Sequence, residues 1–168
     1  MDDRDRGFTE YFGTRADALR GTAYLLCGDW HRAEDLVQTA FVKLYRAWNR
    51  IGGHHTLDAY TRQILVRTFL DENRRGFFHR ERVTDTSADR VAPPAGSTED
   101  RIVLLTALAK VPPRQRAALV LRYWEDLSVE DTAQALRCSP GTVKSQAARG
   151  LDALRGLLPT STLTETTP

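Results

Sequence analysis

The side chains best suited to chemistry lie in residues 139–155, SPGTVKSQAARGLDALR. Apolar residues recur here at helical spacing, which predicts a helix with one buried stripe. The opposite face carries hydroxyl, amide and guanidinium groups that can form hydrogen bonds. In duplex DNA, Gln pairs bidentately with adenine and Arg with guanine, so this face is suited to reading base edges. The outward-facing side chains are Thr142, Ser145, Gln146 and Arg149.

A short helix and a tight turn are predicted to precede this one. Ser128 opens SVEDTAQAL, and the acid three residues later makes a capping-box pattern. RCS then forms the turn, and Ser139 is a good N-cap for the next helix. The pattern is typical of a helix-turn-helix, whose second helix enters the major groove. Arg137, Lys144 and Arg155 would then contact phosphates and set the register.

Enzymatic and metal-binding patterns are weak by comparison. Asp71 and Glu72 are adjacent, so they point to different sides of a helix. His54 and His55 stand in a glycine-containing turn without a Cys or carboxylate at ligand spacing. The sequence has no glycine-rich phosphate loop and no nucleophile signature. We therefore expect no enzymatic activity, no metal and no cofactor.

Composition indicates a folded chain. Hydrophobic residues make up 41% of the 168 residues, which is enough for a core, and 24 basic against 22 acidic residues give a net charge of +2. There is no apolar run at the amino terminus and none of membrane-spanning length, so we expect a cytoplasmic protein without membrane insertion. Cys27 and Cys138 are expected to be small buried residues rather than a disulfide.

Periodicity predicts an all-α fold of two small helical domains joined by a flexible linker. The first block spans residues 8–77 and the second spans residues 99–158. Residues 78–98 contain two prolines and no apolar period, which is typical of a linker, and residues 159–168 form a frayed tail. The first expected helix ends at Gly28, the second spans residues 29–48 and the third runs from Thr56 to Gly76. The fourth ends before Pro112, and the fifth spans residues 114–127.

Two motifs carry a resemblance to a known family. The first is AEDLVQTAFVKLYRAW, residues 33–48. The second is PPRQRAALVLRYWEDLSVEDTAQALRCSPGTVKSQAARGLDALR, residues 112–155, preceded by Val111 where the family often has Leu. Together they resemble bacterial RNA polymerase sigma factors of the extracytoplasmic-function class, the minimal kind with only two conserved regions. The resemblance covers roughly residues 8–158.

The resemblance implies a factor that binds core RNA polymerase and directs promoter recognition, DNA opening and transcription initiation. Its partners would be the clamp helices of the largest subunit, the flap of the second-largest subunit, and promoter DNA. The region 2 helix would dock on the clamp through Asp35, Leu36, Gln38, Phe41 and Leu44.

The resemblance also implies two DNA-binding surfaces. The loop of residues 49–56 would capture a flipped base, and the helix after it would face the minus-ten element. The minus-ten residues would be Asn49, His54, His55, Arg67, Asn73, Arg74 and Arg75. The minus-thirty-five residues would be Arg137, Ser139, Thr142, Lys144, Ser145, Gln146 and Arg149, with Gln146 standing where many relatives carry Arg.

Two other readings remain open at this point. The chain could be a helix-turn-helix regulator that does not replace sigma, with the first block used for dimerisation or ligand binding. It could also be a helical adaptor without DNA contact. Under the sigma reading, control would come from an anti-sigma partner or from expression level.

The linker sets a condition on promoter binding. The two promoter elements are about 25 base pairs apart, which is roughly 85 Å of straight duplex. Each block should be ~28 Å wide. A flexible linker of about 21 residues spans only ~25 Å on average, which falls short, and ~70 Å when extended, which together with the block widths is long enough. We therefore expect an extended linker only on polymerase, and blocks that can pack together in the free protein.

Overall fold

A computed structural model describes residues 1–80 and 99–159, apart from the side chains of residues 54, 55 and 77–80. These ranges contain seven α-helices and no strand, which confirms the all-α prediction. Most of the predicted linker and tail lies outside them. The helices are α1 (Asp3–Cys27), α2 (Trp30–Ala47), α3 (His54–Arg80), α4 (Glu99–Lys110), α5 (Pro113–Leu119), α6 (Val129–Leu136) and α7 (Pro140–Leu157), with a 3-10 turn (Trp48–Arg50) after α2 and a π-helical turn (Val120–Trp124) after α5.

The boundary between α1 and α2 contains the predicted helix stop at Gly28 and a cap at Asp29 that was not predicted. Gly28 adopts a left-handed conformation with φ 74°, and its N–H donates to the Tyr24 carbonyl at 2.8 Å. Asp29 then caps α2, because its carboxylate accepts from the backbone N–H of Arg32 at 3.0 Å. The two caps place α1 and α2 side by side after a two-residue turn.

The third helix begins earlier than predicted. The expected start was Thr56, but α3 begins at His54. The reason is Gly53, which has φ 70° and whose carbonyl accepts the first helical hydrogen bond from Leu57 at 3.1 Å. The helix also runs four residues beyond Gly76, so it occupies the first positions of the predicted linker.

The predicted helix over residues 114–127 is divided in two. α5 ends at Leu119 and the π-helical turn follows, closed by a hydrogen bond from Glu125 N–H to the Val120 carbonyl at 3.0 Å. The wider turn leaves Tyr123 and Trp124 exposed. It also aims Glu125 at the first block.

Aromatic rings join α1 to α2. The Phe8 ring lies edge-on to Phe41, Tyr45 and Trp48, with centroids 5.9, 5.0 and 5.5 Å away. Edge-to-face pairs at this distance are favourable beyond the area they bury. They fix the angle at which α2 crosses α1 and so set which face of α2 reaches solvent.

A buried guanidinium joins the two blocks. Arg116 of α5 is only 8% exposed. It donates to the carbonyl oxygens of Ala109 and Val111 at 2.8 Å each, and to the Leu26 carbonyl at the end of α1. Burial lowers the pKa of Arg116 to about 10, so the group stays charged at neutral pH. Carbonyls at helix ends carry partial negative charge and have no intrahelical partner, which makes them suitable acceptors for this cation.

Further polar contacts hold α3 and α1 against the second block. Glu125 accepts from Arg62 of α3 at 2.8 Å and from the Thr22 hydroxyl of α1. Arg67 of α3 donates to two carbonyls in the last turn of α6, at 3.0 and 3.2 Å. Side chains from both blocks form one continuous apolar core around these contacts. The described chain is therefore in a closed arrangement.

Gly150 lets α7 approach α5. A Cβ built at this position would lie 3.0 Å from the Leu119 side chain and 3.2 Å from the Gln115 carbonyl oxygen. We expect Gly150→Ala to lower the free energy of unfolding by about 1–3 kcal/mol. Gly156→Ala on the same helix is the matched control, since nothing lies within 4 Å of its Cβ. That change should raise stability by about 0.5–1 kcal/mol. Urea unfolding of both variants measures the difference, and equal effects would contradict the close packing.

Arg116→Lys keeps the charge but removes the planar fork that reaches two chain segments. We expect a loss of about 2–4 kcal/mol in the free energy of unfolding, because carbonyls at the ends of α1 and α4 lose their donor. Arg114→Lys, two residues away on the exposed side of α5, is the control and should stay within about 0.5 kcal/mol. Thermal and urea unfolding measure both, and equal stability of the two variants would show that the fork is unimportant.

Candidate nucleic-acid and polymerase interfaces

The helix-turn-helix forms as predicted from its caps. Ser128 Oγ accepts from Asp131 N–H at 3.0 Å, and Ser139 Oγ accepts from Thr142 N–H at 3.1 Å. Between them Arg137 ends α6 in a left-handed conformation, with φ 53°. Cys138 N–H donates back to the Ala133 carbonyl at 3.1 Å, which closes the turn. The orientation of α7 relative to α6 is thus set by local hydrogen bonds.

The faces of α7 divide as its sequence predicts. Val143, Ala147 and Gly150 are buried against α5 and α6. The Thr142 hydroxyl is already paired with Ser139 Oγ at 2.9 Å, so one predicted base reader also supports the cap. The exposed residues of the predicted reading surface are Arg137, Ser139, Lys144, Ser145 and Arg149, and the half-buried ones are Thr142 and Gln146.

Gln146 faces the first block. Together with Asn73 and Arg74 of α3 it lines a cavity of about 590 Å³ between the blocks. Residues predicted to read two separate promoter elements therefore lie on opposite walls of one cavity. In this closed arrangement they cannot contact two promoter elements about 25 base pairs apart. The walls of one small cavity lie much closer together than those elements do.

Some of the predicted minus-ten side chains are exposed to solvent, and others are already bonded to other parts of the protein. Asn49 is exposed in the 3-10 turn, and Arg75 is exposed on α3. Arg74 is exposed and pairs with Asp71 at 3.2 Å. Arg67 is half-buried and bonded to α6, so it is available to DNA only after the blocks separate. The side chains of His54 and His55 lie outside the described residues.

The predicted polymerase-binding face needs a correction. Leu36 and Leu44 are 0% exposed and Phe41 is 3% exposed, so these side chains belong to the core. They support the surface of α2 and do not form it. Asp35 and Gln38 are exposed. The apolar period of α2 already placed the three residues on its inner face, and this period was the signal to follow.

Val42 was missed by the sequence reasoning. It is 53% exposed on the same side of α2 as Asp35 and Gln38, at spacings of three and four residues. A single exposed apolar side chain does not by itself mark a contact surface, but Val42 belongs to the same exposed face of α2 as Asp35 and Gln38. Its signal was present, because Val42 falls outside the apolar stripe of α2.

Arg116 and Glu125 were also missed. Nothing in the local sequence distinguishes them from other charges in α5 and the turn after it. Their partners Leu26, Thr22 and Arg62 are distant in sequence.

Within residues 1–80 and 99–159, no cluster of three or more His, Cys, Asp or Glu could hold a metal ion. In the same part of the chain, no helix combines the length and apolarity needed to cross a membrane. Cys27 and Cys138 are free and partly buried, and burial raises the pKa of the Cys27 thiol.

Comparison with known proteins gives consistent results. The family models described as Sigma-70 region 2 and Sigma-70, region 4 match residues 12–76 and 101–154. The chain is 40% identical over 154 residues to the RNA polymerase sigma-E factor of Streptomyces avermitilis, covering 88% of this chain and 83% of the relative. It is 34% identical over 151 residues to the ECF RNA polymerase sigma factor SigE of Mycolicibacterium smegmatis, covering 85% and 58%.

A solved structure agrees. The sigma factor RpoE of Bartonella quintana, in a co-crystal with the anti-sigma factor NepR, superposes with a TM-score of 0.75 at 28% identity, covering 90% of this chain and 96% of that one. The region 2 match identifies the first block as a sigma region and disfavours a dimerisation or ligand domain. The chain belongs to the RNA polymerase sigma factors of the extracytoplasmic-function class, a family whose members bind core polymerase and promoter DNA and are not enzymes.

Proposed function

We propose that the exposed face of α2 docks on the clamp helices of core polymerase, that α3 meets the minus-ten element, and that α7 reads the minus-thirty-five element. The observation that carries this division of roles is the pair of surfaces on one chain. One is a doubly capped helix-turn-helix with a hydrogen-bonding outer face. The other is a helix whose exposed face combines charge, amide and an apolar side chain.

The polymerase contact is assigned to Asp35, Gln38 and Val42. They occupy one line along α2, and the buried side chains beneath them hold that line rigid. A rigid surface loses less conformational entropy when it binds than a mobile one does. The flap of the second-largest subunit would contact the second block.

The minus-thirty-five contact is assigned to the amino-terminal half of α7. Lys144 and Arg137 are exposed cations near the start of that helix, where they suit phosphates. Gln146 and Arg149 lie further along and suit base edges. With Gln in place of a second cation at position 146, this part of the surface favours hydrogen bonding to bases over charge pairing with the backbone.

The minus-ten contact is assigned to α3 and the loop before it. Asn49, Arg74 and Arg75 are exposed and able to follow an unpaired strand. Arg67 and Asn73 would join them after the blocks separate. His54 and His55 remain predicted base-capture residues. The domain limits likewise remain predictions: blocks at residues 8–77 and 99–158, a linker at 78–98 and a tail at 159–168.

We infer that promoter binding requires the closed arrangement to open and that an inhibitor can exploit it. The structural relative bound to an anti-sigma factor supports a partner of this kind, acting in the cytoplasm where polymerase works. Purification of the tagged chain from its native host tests the inference. An abundant, stoichiometric inhibitor is expected, and its absence would favour control by expression level.

Run-off transcription tests the proposed function directly. Core polymerase is given a library of host promoter fragments with and without the chain. Discrete new transcripts that need the chain are expected, and their start sites would define both promoter elements. Polymerase binding without transcripts at any fragment, or no polymerase binding at all, would contradict the proposal.

The polymerase surface gives a sharper prediction. The double change Asp35→Ala and Val42→Ser should weaken binding to core polymerase by at least about tenfold, since it removes a charge and an apolar contact from one small patch. Glu10→Ala, an exposed acid on α1, is the charge-matched control and should change affinity less than about twofold. Titration of labelled chain with core polymerase measures both, with unfolding curves to confirm unchanged stability. Equal affinities of the double variant and the unchanged chain for core polymerase would contradict the assignment of this face of α2 to polymerase docking.

Two variants of α7 separate base reading from phosphate contact. Gln146→Ala should cost about 1–3 kcal/mol on the preferred promoter and relax base choice at one position. Lys144→Ala should weaken binding on all promoters alike and reduce the salt slope by about one. Holoenzyme binding to promoter variants at several salt concentrations measures both effects. A uniform loss for Gln146→Ala would place that residue on the backbone instead.

A further inference from the structure

The cleft between the blocks concentrates positive charge. A cavity of about 470 Å³ lies between α2 and α3 on one side and α5, α6 and the turn after α6 on the other. We name it the basic cleft. Its charged lining consists of Lys43, Arg67, Arg74, Arg114 and Arg137, with Asp71 as the acid among them.

This concentration is local, because the whole chain carries 24 basic and 22 acidic residues. Five cations against one carboxylate leave a strongly positive wall around a small volume. Burial lowers the pKa of Arg67, and the positive charge of Arg137 lowers it further, so the two guanidinium groups repel each other across the cleft. An anion between them would relieve that repulsion.

The cations keep donors free for a ligand. Arg67 uses part of its guanidinium on the carbonyls of α6 and on the amide oxygen of Gln63. Lys43 donates one hydrogen bond to the Thr68 hydroxyl at 2.9 Å, and Arg114 donates one to the Leu136 carbonyl at 3.4 Å. Arg has five N–H donors and Lys has three. Lys43 therefore keeps two donors and Arg114 keeps four, whereas Arg67 keeps one.

We propose that the basic cleft binds a small oligophosphate, such as the polyphosphate part of a nucleotide, and that the ligand holds the two blocks in the closed arrangement. Its size fits: pockets for small ligands occupy about 300–1,000 Å³. Its chemistry fits as well, since forked guanidinium groups bind phosphate oxygens bidentately. Because the cleft is lined by both blocks, a bound ligand bridges them.

The site has a consequence for promoter binding. Arg67, Arg74 and Arg137 are also proposed DNA contacts, and the ligand would occupy them in the closed form. A ligand that binds only one of two states shifts the population toward that state. The oligophosphate and promoter DNA are therefore expected to exclude each other.

Calorimetric titration of the full chain with inorganic tripolyphosphate tests the site without polymerase, so its result is independent of the proposed function. Saturable binding is expected, together with a rise in the unfolding temperature, whereas sulfate at matched ionic strength should bind at least about tenfold more weakly. Absence of saturable tripolyphosphate binding below about 1 mM would overturn the proposal.

Charge-removing variants locate the binding. Arg137→Asn suits the left-handed conformation at this position and should weaken tripolyphosphate binding by about tenfold, as should Lys43→Gln. Arg6→Gln removes an exposed charge outside the cleft and should change affinity less than about twofold. Equal losses in all three variants would indicate unspecific charge attraction and overturn the site. A short DNA strand that binds through the cleft where tripolyphosphate does not would assign it to nucleic acid alone.

Discussion

The closed arrangement depends above all on the hydrogen bonds that one buried cation, Arg116, donates to backbone carbonyls of both blocks. Among the described residues, no carboxylate pairs with the Arg116 guanidinium, and its charge is stabilised by the backbone carbonyls of Leu26 at the end of α1, Ala109 in α4 and Val111. A buried charge without partners would cost several kcal/mol, so these chain segments have to meet around it. Because Arg116 lies on α5, the same contact fixes the helix-turn-helix relative to the first block.

This constraint places the two proposed DNA-reading surfaces face to face. Gln146 of α7 lies opposite Asn73 of α3, and Arg67 is bonded to α6. The bonds that hold the blocks together and the bonds that promoter DNA would form compete for some of the same side chains. Under the proposed roles, promoter recognition requires opening, and the free-energy cost of opening would reduce the apparent affinity for polymerase and DNA. Any ligand or protein that binds both blocks at once adds to that cost.

The features of the fold that the sequence predicted are those that depend on residues close together in the chain. The caps at Ser128 and Ser139, the stop at Gly28 and the apolar period of α7 depend on neighbouring residues, and they appear in the fold as expected. These features were sufficient for the all-α class and for the helix-turn-helix.

The features that were not predicted depend on contacts between distant segments. The partners of Arg116 and Glu125 lie in the other block, so no pattern in α5 reveals them. The π-helical turn was not predicted either, and it directs Glu125 toward Arg62 and Thr22 in the other block. On α2, the family resemblance named buried and exposed residues together, and only burial separated the supporting Leu36, Phe41 and Leu44 from the exposed Val42.

The distance between the blocks is the most direct measurement of this mechanism. Cysteines introduced by Glu10→Cys on α1 and Asp152→Cys on α7, in a Cys27→Ser and Cys138→Ser background, carry spin labels for pulsed distance measurement. The free chain should give one short distance, and the complex with core polymerase and promoter DNA should give a much longer one, set by elements that lie roughly 85 Å apart on straight duplex. The same short distance in both states would contradict the opening of the closed arrangement.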